Sequence, residues 1–500
     1  MTVGTQPIDL LTVGAMARAD ALAISGGIPG FRLMRAAGEG VADILHGRWP
    51  EGRVLVLAGP GNNGGDGFVI AERLKILGRG VRLGLLGSVD KLKADAATAQ
   101  SRWRGATEGA HPDLLADADI IVDALFGAGL DRPLQDEAAQ LAKAVNAARQ
   151  ERGVRVLAVD IPSGVHGDTG LPLGAAVRAD LTVTFFRKKP GHLLMPGRAM
   201  AGEVRLIDIG IPQNVLAEVA CGCFENRPAL WLERLPRPSP EGHKYDRGHA
   251  VVVSGGAAAT GAARLGAMGA LRIGAGLVTV ASPMDALAAN AAHLTAIMLQ
   301  PFADLTEFSH VIADRRRNAV LLGPGNGVGK ATCERVLAVL RSGKAVVLDA
   351  DAVTSFETSR KILFKAIAGS TGPTVLTPHM GEFARLFGKP EPERGKVALA
   401  LEAARQSGAV VLLKGPDTVV AAPDGRTSIT ANAPPTLATA GAGDVLAGFI
   451  TGLLAQGMPA FEAASAAAWI HGEAANAFGP GLISEDLSDM VPAVLKELLE

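Results

Sequence analysis

Short apolar runs alternate with helical patterns along the first half of the chain. Val54–Ala58 is a continuous apolar run that leads into a glycine-rich turn, and a helix is predicted from about Phe68 to Leu77. Val81–Leu86, Ile120–Leu125 and Val154–Ile161 read as further strands, with a helix over Gln135–Gln150. Leu181–Phe186 and Val204–Ile209 extend the series. Strands apolar on both faces and separated by helices predict a parallel sheet covered on each side.

A second series opens at His249–Val253, followed by a helix of small residues over Gly261–Ile273. It continues through Leu277–Ala281, Val320–Leu322, Ala345–Leu348, Thr374–Leu376 and Val410–Leu413, and ends in helices from Asp444 onward. Between the two series, residues 226–242 carry Pro228, Pro236, Pro238 and Pro240, a texture that resists helix and central strand. The expected organisation is a domain over 1–225, a Pro-rich linker over 226–242 and a domain over 243–500. No 20–50-residue period recurs, so the chain is not a solenoid.

Composition narrows the picture. A chain of 500 residues is too long for one ordinary core. Lys plus Arg number 49 and Asp plus Glu 50, so the net charge of −1 argues against a nucleic-acid partner. The sequence is 48% hydrophobic but only 4% aromatic, with 62 Gly, which excludes disorder and suits close helix–sheet packing. Cys221 and Cys223 lie two apart with Cys333 far away, which fits neither a disulfide scaffold nor a common zinc spacing. Met1–Met16 has no basic segment before an apolar core. The longest uncharged apolar stretch, Val445–Phe461, is shorter than a bilayer and holds Gln456 and Pro459. A soluble cytoplasmic protein without a membrane partner is expected.

The first chemical motif is Gly59-Pro-Gly61-Asn62-Asn63-Gly64-Gly65-Asp66-Gly67, between a strand and a helix. Glycines there let backbone N–H groups approach a phosphate. Gly59, Gly61 and Gly64 satisfy G-x-G-x-x-G, but Leu86, Gly87 and Ser88 stand where a dinucleotide fold would place its acid, so a redox site does not follow. Asn62, Asn63 and Asp66 make a binding loop the better reading. Asp123-Ala-Leu-Phe-Gly127-Ala128-Gly129-Leu130 and Asp160-Ile-Pro-Ser163-Gly164 follow later strands. Strand ends of a parallel sheet share one edge, so the three loops should converge. Their carboxylates and Ser and Asn oxygens suit a monovalent cation or an acid/base pair, although a strand-end Asp can also simply cap a helix. Arg187-Lys188-Lys189 is either a phosphate attractor or a solvated strand end.

In the second half, Gly323 to Lys330 mimics a P-loop but fails as one, with Pro324 and Ala331 at required positions. Thr377-Pro378-His379-Met380-Gly381-Glu382 and Lys414-Gly415-Pro416-Asp417-Thr418 follow. Thr439-Ala440-Gly441-Ala442-Gly443-Asp444 opens an uncharged helix. Its amides would make an anion hole with a carboxylate beside it, an arrangement suited to phosphoryl transfer. A first-turn Asp complementing the helix dipole explains Asp444 but not the glycines. His243 and His249 read as structural.

These residues resemble known families. The C-terminal set is similar to the ribokinase-like superfamily, in which Gly-x-Gly-Asp opens a helix and the Asp is the catalytic base. His243-Lys244 through Gly248, Thr260-Gly261-Ala262, Pro378-His379-x-Gly381-Glu382, Lys414-Gly415 and Gly443-Asp444 through Gly448 resemble the ADP-dependent NAD(P)H-hydrate dehydratases. The three N-terminal motifs, with Arg18-Ala-Asp20, Leu33-Met34 and Ala37-Gly38, resemble the NAD(P)H-hydrate epimerases, in the order of the bacterial bifunctional enzymes. The resemblance implies an α/β protein with a Rossmann-like three-layer αβα domain followed by a ribokinase-like α/β domain. It implies that Asn62, Asn63, Gly64, Gly65, Asp66, Gly127, Ala128, Gly129, Leu130, Asp131, Arg132, Pro133 and Asp160 contact the hydrated dinucleotide, with Asp160 as acid/base, and that Asn63, Asp123 and Ser163 bind K+. In the second domain it implies Ala262, Gly325, His379 and Asp444 at the substrate, with Asp444 catalytic, and Lys414, Gly415, Pro416, Asp417, Thr418 and Gly443 at ADP, with Mg2+ on the phosphates. Met380 departs from the expected Pro. The implied substrates are NADHX and NADPHX, and a homo-oligomer is the expected assembly. A ribokinase-like small-molecule kinase with a Rossmann-like accessory domain, or a non-catalytic metabolite sensor, would share part of this pattern.

Overall fold

The computed structural model describes residues 7–220 and 222–500, so Cys221 lies outside the described residues. Chain contacts divide the protein into two units, Asp9–Cys223 and Phe224–Glu500, the latter with Pro7 and Ile8.

In the first unit, helices α1 (Val13–Ser25) and α2 (Gly30–Arg48) precede β1 (Val54–Ala58), α3 (Asn62–Ile76), β2 (Val81–Leu85), β3 (Thr107–Gly109) and β4 (Ile120–Ala124). Then come α4 (Asp136–Arg152), β5 (Arg155–Val159), β6 (Leu181–Phe185) and β7 (Glu203–Ile207). The sheet order is β3-β2-β1-β4-β5-β6-β7, parallel throughout. Alternate residues feed two cores. Val54, Val56, Ala58 and Val122 pack with α1–α3, while Leu55, Leu57, Ile121 and Val156 pack with Leu141 and Val145 of α4. This is the expected three-layer arrangement.

α3 begins at Asn62, about six residues before the predicted start, and takes in the glycine motif. Intrinsic propensity disfavours three glycines in one helical turn, but here close packing overrides it. A Cβ on Gly64 would lie 1.8 Å from the Gly59 carbonyl oxygen, and one on Gly59 would lie 1.7 Å from the Leu125 carbonyl oxygen. The motif is thus a helix start pressed against the end of β4. Arg187, Lys188 and Lys189 are all buried, which corrects the solvated strand end.

The second unit holds β8 (His249–Val253), α5 (Gly261–Arg272), β9 (Leu277–Pro283), β10 (Met298–Phe302), β11 (Ala319–Leu322), β12 (Ala345–Leu348), β13 (Thr374–Leu376) and α6 (Met380–Phe387). β14 (Val410–Leu413), β15 (Val419–Ala421), β16 (Thr427–Ile429), α7 (Ala442–Ala455), α8 (Ala460–Phe478) and α9 (Ser484–Leu499) follow, with further helices between the strands. Its sheet runs β16-β15-β14-β13-β12-β11-β8-β9-β10, parallel from β14 to β10 and antiparallel across β14, β15 and β16. α7 is buried along nearly its whole length and crosses α5 at glycines, since a Cβ on Gly448 would meet the Gly266 carbonyl oxygen at 2.2 Å.

The segment 226–242 divides in two. The Asn226 amide donates to Thr430 Oγ1 (2.8 Å) and the Ser465 carbonyl (2.7 Å) and accepts from Trp231 Nε1 (3.0 Å); Trp231 and Leu235 are buried in the second core. From Arg237 to Gly242 every residue is exposed, beyond the aromatic anchor. Among the described residues no helix is long and apolar enough to cross a membrane.

Candidate active sites

In both sheets the strand order reverses beside the first strand, between β1 and β4 in one and between β8 and β11 in the other. Loops at the carboxyl ends of such strands diverge and leave a crevice. In the first unit the crevice is a cavity of about 740 Å³. Asn62, Asn63, Asp66, Asp160, Lys189 and residues 127–132 line it, with Asp20 of α1.

Asp160 follows β5 with a positive φ of 67°. Its Oδ2 accepts from the Ala128 N–H (2.9 Å), and its Oδ1 accepts from Thr184 Oγ1 (3.0 Å) and from Lys189 Nζ (2.5 Å). Burial alone would raise this carboxyl, but the Lys189 ammonium and these bonds outweigh it and hold it at about 2. His192 is buried and kept neutral, its pKa pushed down to about 4 by burial and by Lys189. Its Nδ1 accepts from the Lys189 N–H (2.9 Å), so Nε2–H donates to the Asp160 carbonyl (2.7 Å). Two further carboxyls behave oppositely. Burial pushes Asp20 up to about 6, with Lys189 pulling it down and Asp160 pushing it up. Burial, then Asp160 and Asp20, drive Asp66 well above the ordinary carboxylate range.

Behind this wall Asp123, fully buried, accepts from Ser163 Oγ (2.6 Å), Ser163 N–H (2.8 Å) and Leu125 N–H (3.3 Å). Burial still pushes it up to about 6 against those bonds. Asn63 Nδ2 is buried with no hydrogen-bond partner.

In the second unit the residues converge on the start of α7. Gly441 takes a left-handed turn (φ 86°) ahead of α7, where the Ala442 and Asp444 N–H groups donate to the Thr439 (3.4 Å) and Gly441 (3.0 Å) carbonyls, and Asp444 lies in the first turn. Lys414, at the end of β14, places Nζ 2.7 Å from Asp349 Oδ1 and 3.9 Å from Glu382 Oε2. A Cβ on Gly443 would be 3.5 Å from that Nζ. Burial alone would lower the Lys414 ammonium, but Asp349, Glu382 and Asp444 hold it above its usual range. Burial pushes Asp444 up to about 6, with Asp349 and Glu382 adding and Lys414 opposing. His379 caps α6 reciprocally with Glu382: its Nδ1 accepts from the Gly381 N–H (2.9 Å) while Glu382 Oε2 accepts from the His379 N–H (2.9 Å). This box fixes the loop that Met380 would otherwise leave less rigid.

Residues 250–491 match the profile of the NAD(P)H-hydrate dehydratase family, and residues 30–191 match that of the YjeF-related protein N-terminus. The bifunctional NAD(P)H-hydrate repair enzyme Nnr of Moorella thermoacetica is 36% identical over 526 residues, covering 98% of this chain and 97% of that one. The enzyme of the same description from Salinibacter ruber is also 36% identical, covering 98% and 96%. The chain belongs to the bifunctional NAD(P)H-hydrate repair enzymes. A crystal structure of the ADP/ATP-dependent NAD(P)H-hydrate dehydratase from Bacillus subtilis, co-crystallized with ATP/Mg2+, is 29% identical, covering 53% of this chain and 95% of that one, with a TM-score of 0.47.

Within this repair-enzyme chain most of the expected N-terminal residues reach the cavity wall. Gly64, Gly65 and Pro133 do not line it; the two glycines lie inside the first turn of α3, where a Cβ on Gly65 would strike Met34 at 2.6 Å. In the second domain the bonds unite His379, Glu382, Lys414 and Asp349. Ala262 opens α5, Gly325 lies after β11, and Gly415, Pro416, Asp417 and Thr418 form the loop between β14 and β15. There Lys396 holds the Asp417 carboxylate (2.6 Å) and Thr418 Oγ1 donates to the Gly415 carbonyl (2.9 Å). Lys330 of the P-loop mimic stands exposed beside Glu334, apart from the cluster.

Sequence reasoning missed Asp349, though it ends a strand just as Asp123 and Asp160 do, and it missed the Lys189–Asp160 ion pair. His249 is structural as expected, buried with Nε2 2.8 Å from Thr279 Oγ1.

Proposed function

We propose that the chain repairs hydrated NADH and NADPH, with the first domain interconverting the C6 epimers of NADHX and NADPHX and the second dehydrating the S form. The observation that carries the reading is the carboxylate centre at the strand ends of each sheet, on a chain matched over 98% of its length by a bifunctional repair enzyme.

In the second domain Asp444, poised near neutrality, takes the proton of the C6 hydroxyl as its oxygen attacks the β-phosphorus of ADP. AMP leaves, and Lys414 with the neighbouring Gly443 N–H would hold the phosphoryl oxygens. The ring nitrogen then expels phosphate from C6, and loss of a C5 proton restores the dihydropyridine. Lys414, expected at the adenine nucleotide, would serve its phosphates; its bond to Asp349 and its approach to Gly443 support that reading. Mg2+ would supply charge neutralisation on those phosphates. Asp349 and Glu382 are the carboxylates on hand.

In the first domain water leaves C6 and returns on the other face. Asp160, held ionised by Lys189, is suited less to carrying a proton than to facing the positive charge that develops on the ring. A K+ ion would fit behind it. Asp123, Ser163 Oγ and the Phe126 carbonyl, which accepts from Ser163 Oγ at 3.1 Å, are hard oxygen donors. A half-turn of the Asn63 amide would present oxygen where Nδ2 lacks a partner. Both reactions act on soluble cytoplasmic dinucleotides and call for no nucleic acid or membrane.

AMP release from ADP tests the reading. It should require S-NADHX and fall by about 10²-fold or more in Asp444→Asn. AMP or ADP release that ignores NADHX and follows another hydroxyl substrate would point to a kinase instead.

A further inference from the structure

Epimerisation by water loss and return needs two proton carriers. The C6 hydroxyl leaves only as water, so an acid must protonate it, and the water that adds to the opposite face must lose a proton to a base. Asp160 is badly placed for either task. All its close contacts are donors, and Lys189 Nζ and the Ala128 N–H occupy both oxygens.

Four other carboxyls line the same cavity, Asp20, Asp66, Asp95 and Asp131; of these Asp131 is exposed, and burial raises Asp20 on α1 and Asp66 on α3. Asp66 is 8% exposed, and no hydrogen bond to either carboxyl is formed among the described residues. Neither carboxyl is held by a protein donor among those residues and both line the cavity, so a ligand hydroxyl or water can reach them. Its neighbours Asp160 and Asp20 favour the protonated form of Asp66. Lys189, beside the less buried Asp20, favours the ionised form there.

We propose that Asp66 and Asp20 are the proton carriers of the epimerase: Asp66 protonates the departing C6 hydroxyl and Asp20 takes a proton from the water that adds on the opposite face. The assignment rests on the epimerase reading above. The C6–O bond breaks as the ring-nitrogen lone pair forms the C6=N iminium, and one water is released. A second water then adds, leaving Asp66 ionised and Asp20 protonated. The reverse reaction uses the same groups in exchanged roles, and the proton returns through solvent between turnovers. The Asp160–Lys189 pair stays intact and faces the iminium.

The test uses the full chain, K+ and resolved NADHX epimers, with ADP omitted so that only interconversion is read. Asp66→Asn copies the shape of the protonated carboxyl without its proton, so the fold should be retained. Asp66→Asn and Asp20→Asn should each lower kcat for epimerisation by about 10²-fold or more with KM little changed, while S-NADHX dehydration on adding ADP stays at the wild-type rate. The wild-type pH profile needs no variant. It should lose activity below about pH 6, where Asp20, flanked by Lys189, Asp160 and Asp66 with Asp95, Asp131 and Arg132 on the same wall, becomes protonated. Either Asn variant keeping kcat within about fivefold of wild type, a loss confined to KM, or a profile flat from about pH 5 to 8 would overturn the assignment. A wild-type chain that interconverts nothing would instead overturn the epimerase reading itself.

Discussion

Asp444 illustrates how one carboxyl can meet opposed demands. Under the proposed mechanism its raised pKa, about 6, suits a base at neutral pH, but burial and the neighbouring Asp349 and Glu382 make its ionised form unfavourable in the folded state. The stabilising contribution is complete below the unfolded value of 3.8 and is lost as pH rises through about 6. Asp444→Asn should therefore abolish dehydration yet unfold the second domain at an equal or higher temperature at pH 8, read by thermal melts. Wild-type dehydration should also fall about tenfold per pH unit below pH 6, as the base becomes protonated. Lys414→Met should do the reverse for stability. It leaves Asp349 and Glu382 buried without their ammonium, and the expected loss is about 3–5 kcal/mol in urea titrations of that domain. Asp123, Asp160 and Asp444 were legible in the sequence because each ends a strand or opens a helix beside glycines. Lys189 was not, since a run of three cations past a strand end gives no sign of which one turns inward, and Asp349 carried no flanking glycine to draw attention to it.

Among the elements, the small-residue crossing of α5 and α7 fixes the helix that carries Asp444. Gly448→Ala would drive a methyl into the Gly266 backbone, with an expected destabilisation of about 1–3 kcal/mol and loss of dehydration without any change in the carboxylates. Stability of the purified variant by denaturant titration, paired with its kcat, checks this. Central strands were legible almost to the residue, because a run buried on both faces has no polar interruption. His249–Val253 and Val410–Leu413 are examples. Strands near the sheet edge such as Met298–Phe302, with Gln300 and Pro301 inside, lack that signature. The start of α3 was hidden for a different reason: its glycines signal a turn locally, and only the approach of Leu125 and Gly59 shows why the helix needs them.

At the scale of the whole molecule, a parallel sheet and a mixed sheet each carry buried carboxylates at the carboxyl ends of their strands, Asp123 and Asp160 in one and Asp349 in the other. The two activities should separate cleanly. Withdrawing K+ in favour of a bulky organic cation should depress epimerisation while S-NADHX dehydration persists, as followed by resolving the epimers over time. The most direct test of the account is recovery of NADH absorbance from a mixture of both NADHX epimers with Mg2+, K+ and ADP. Wild type should recover the full signal, Asp160→Ala only the S fraction at a normal rate, and Asp444→Asn almost none. No recovery by wild type with either ADP or ATP would contradict the repair function.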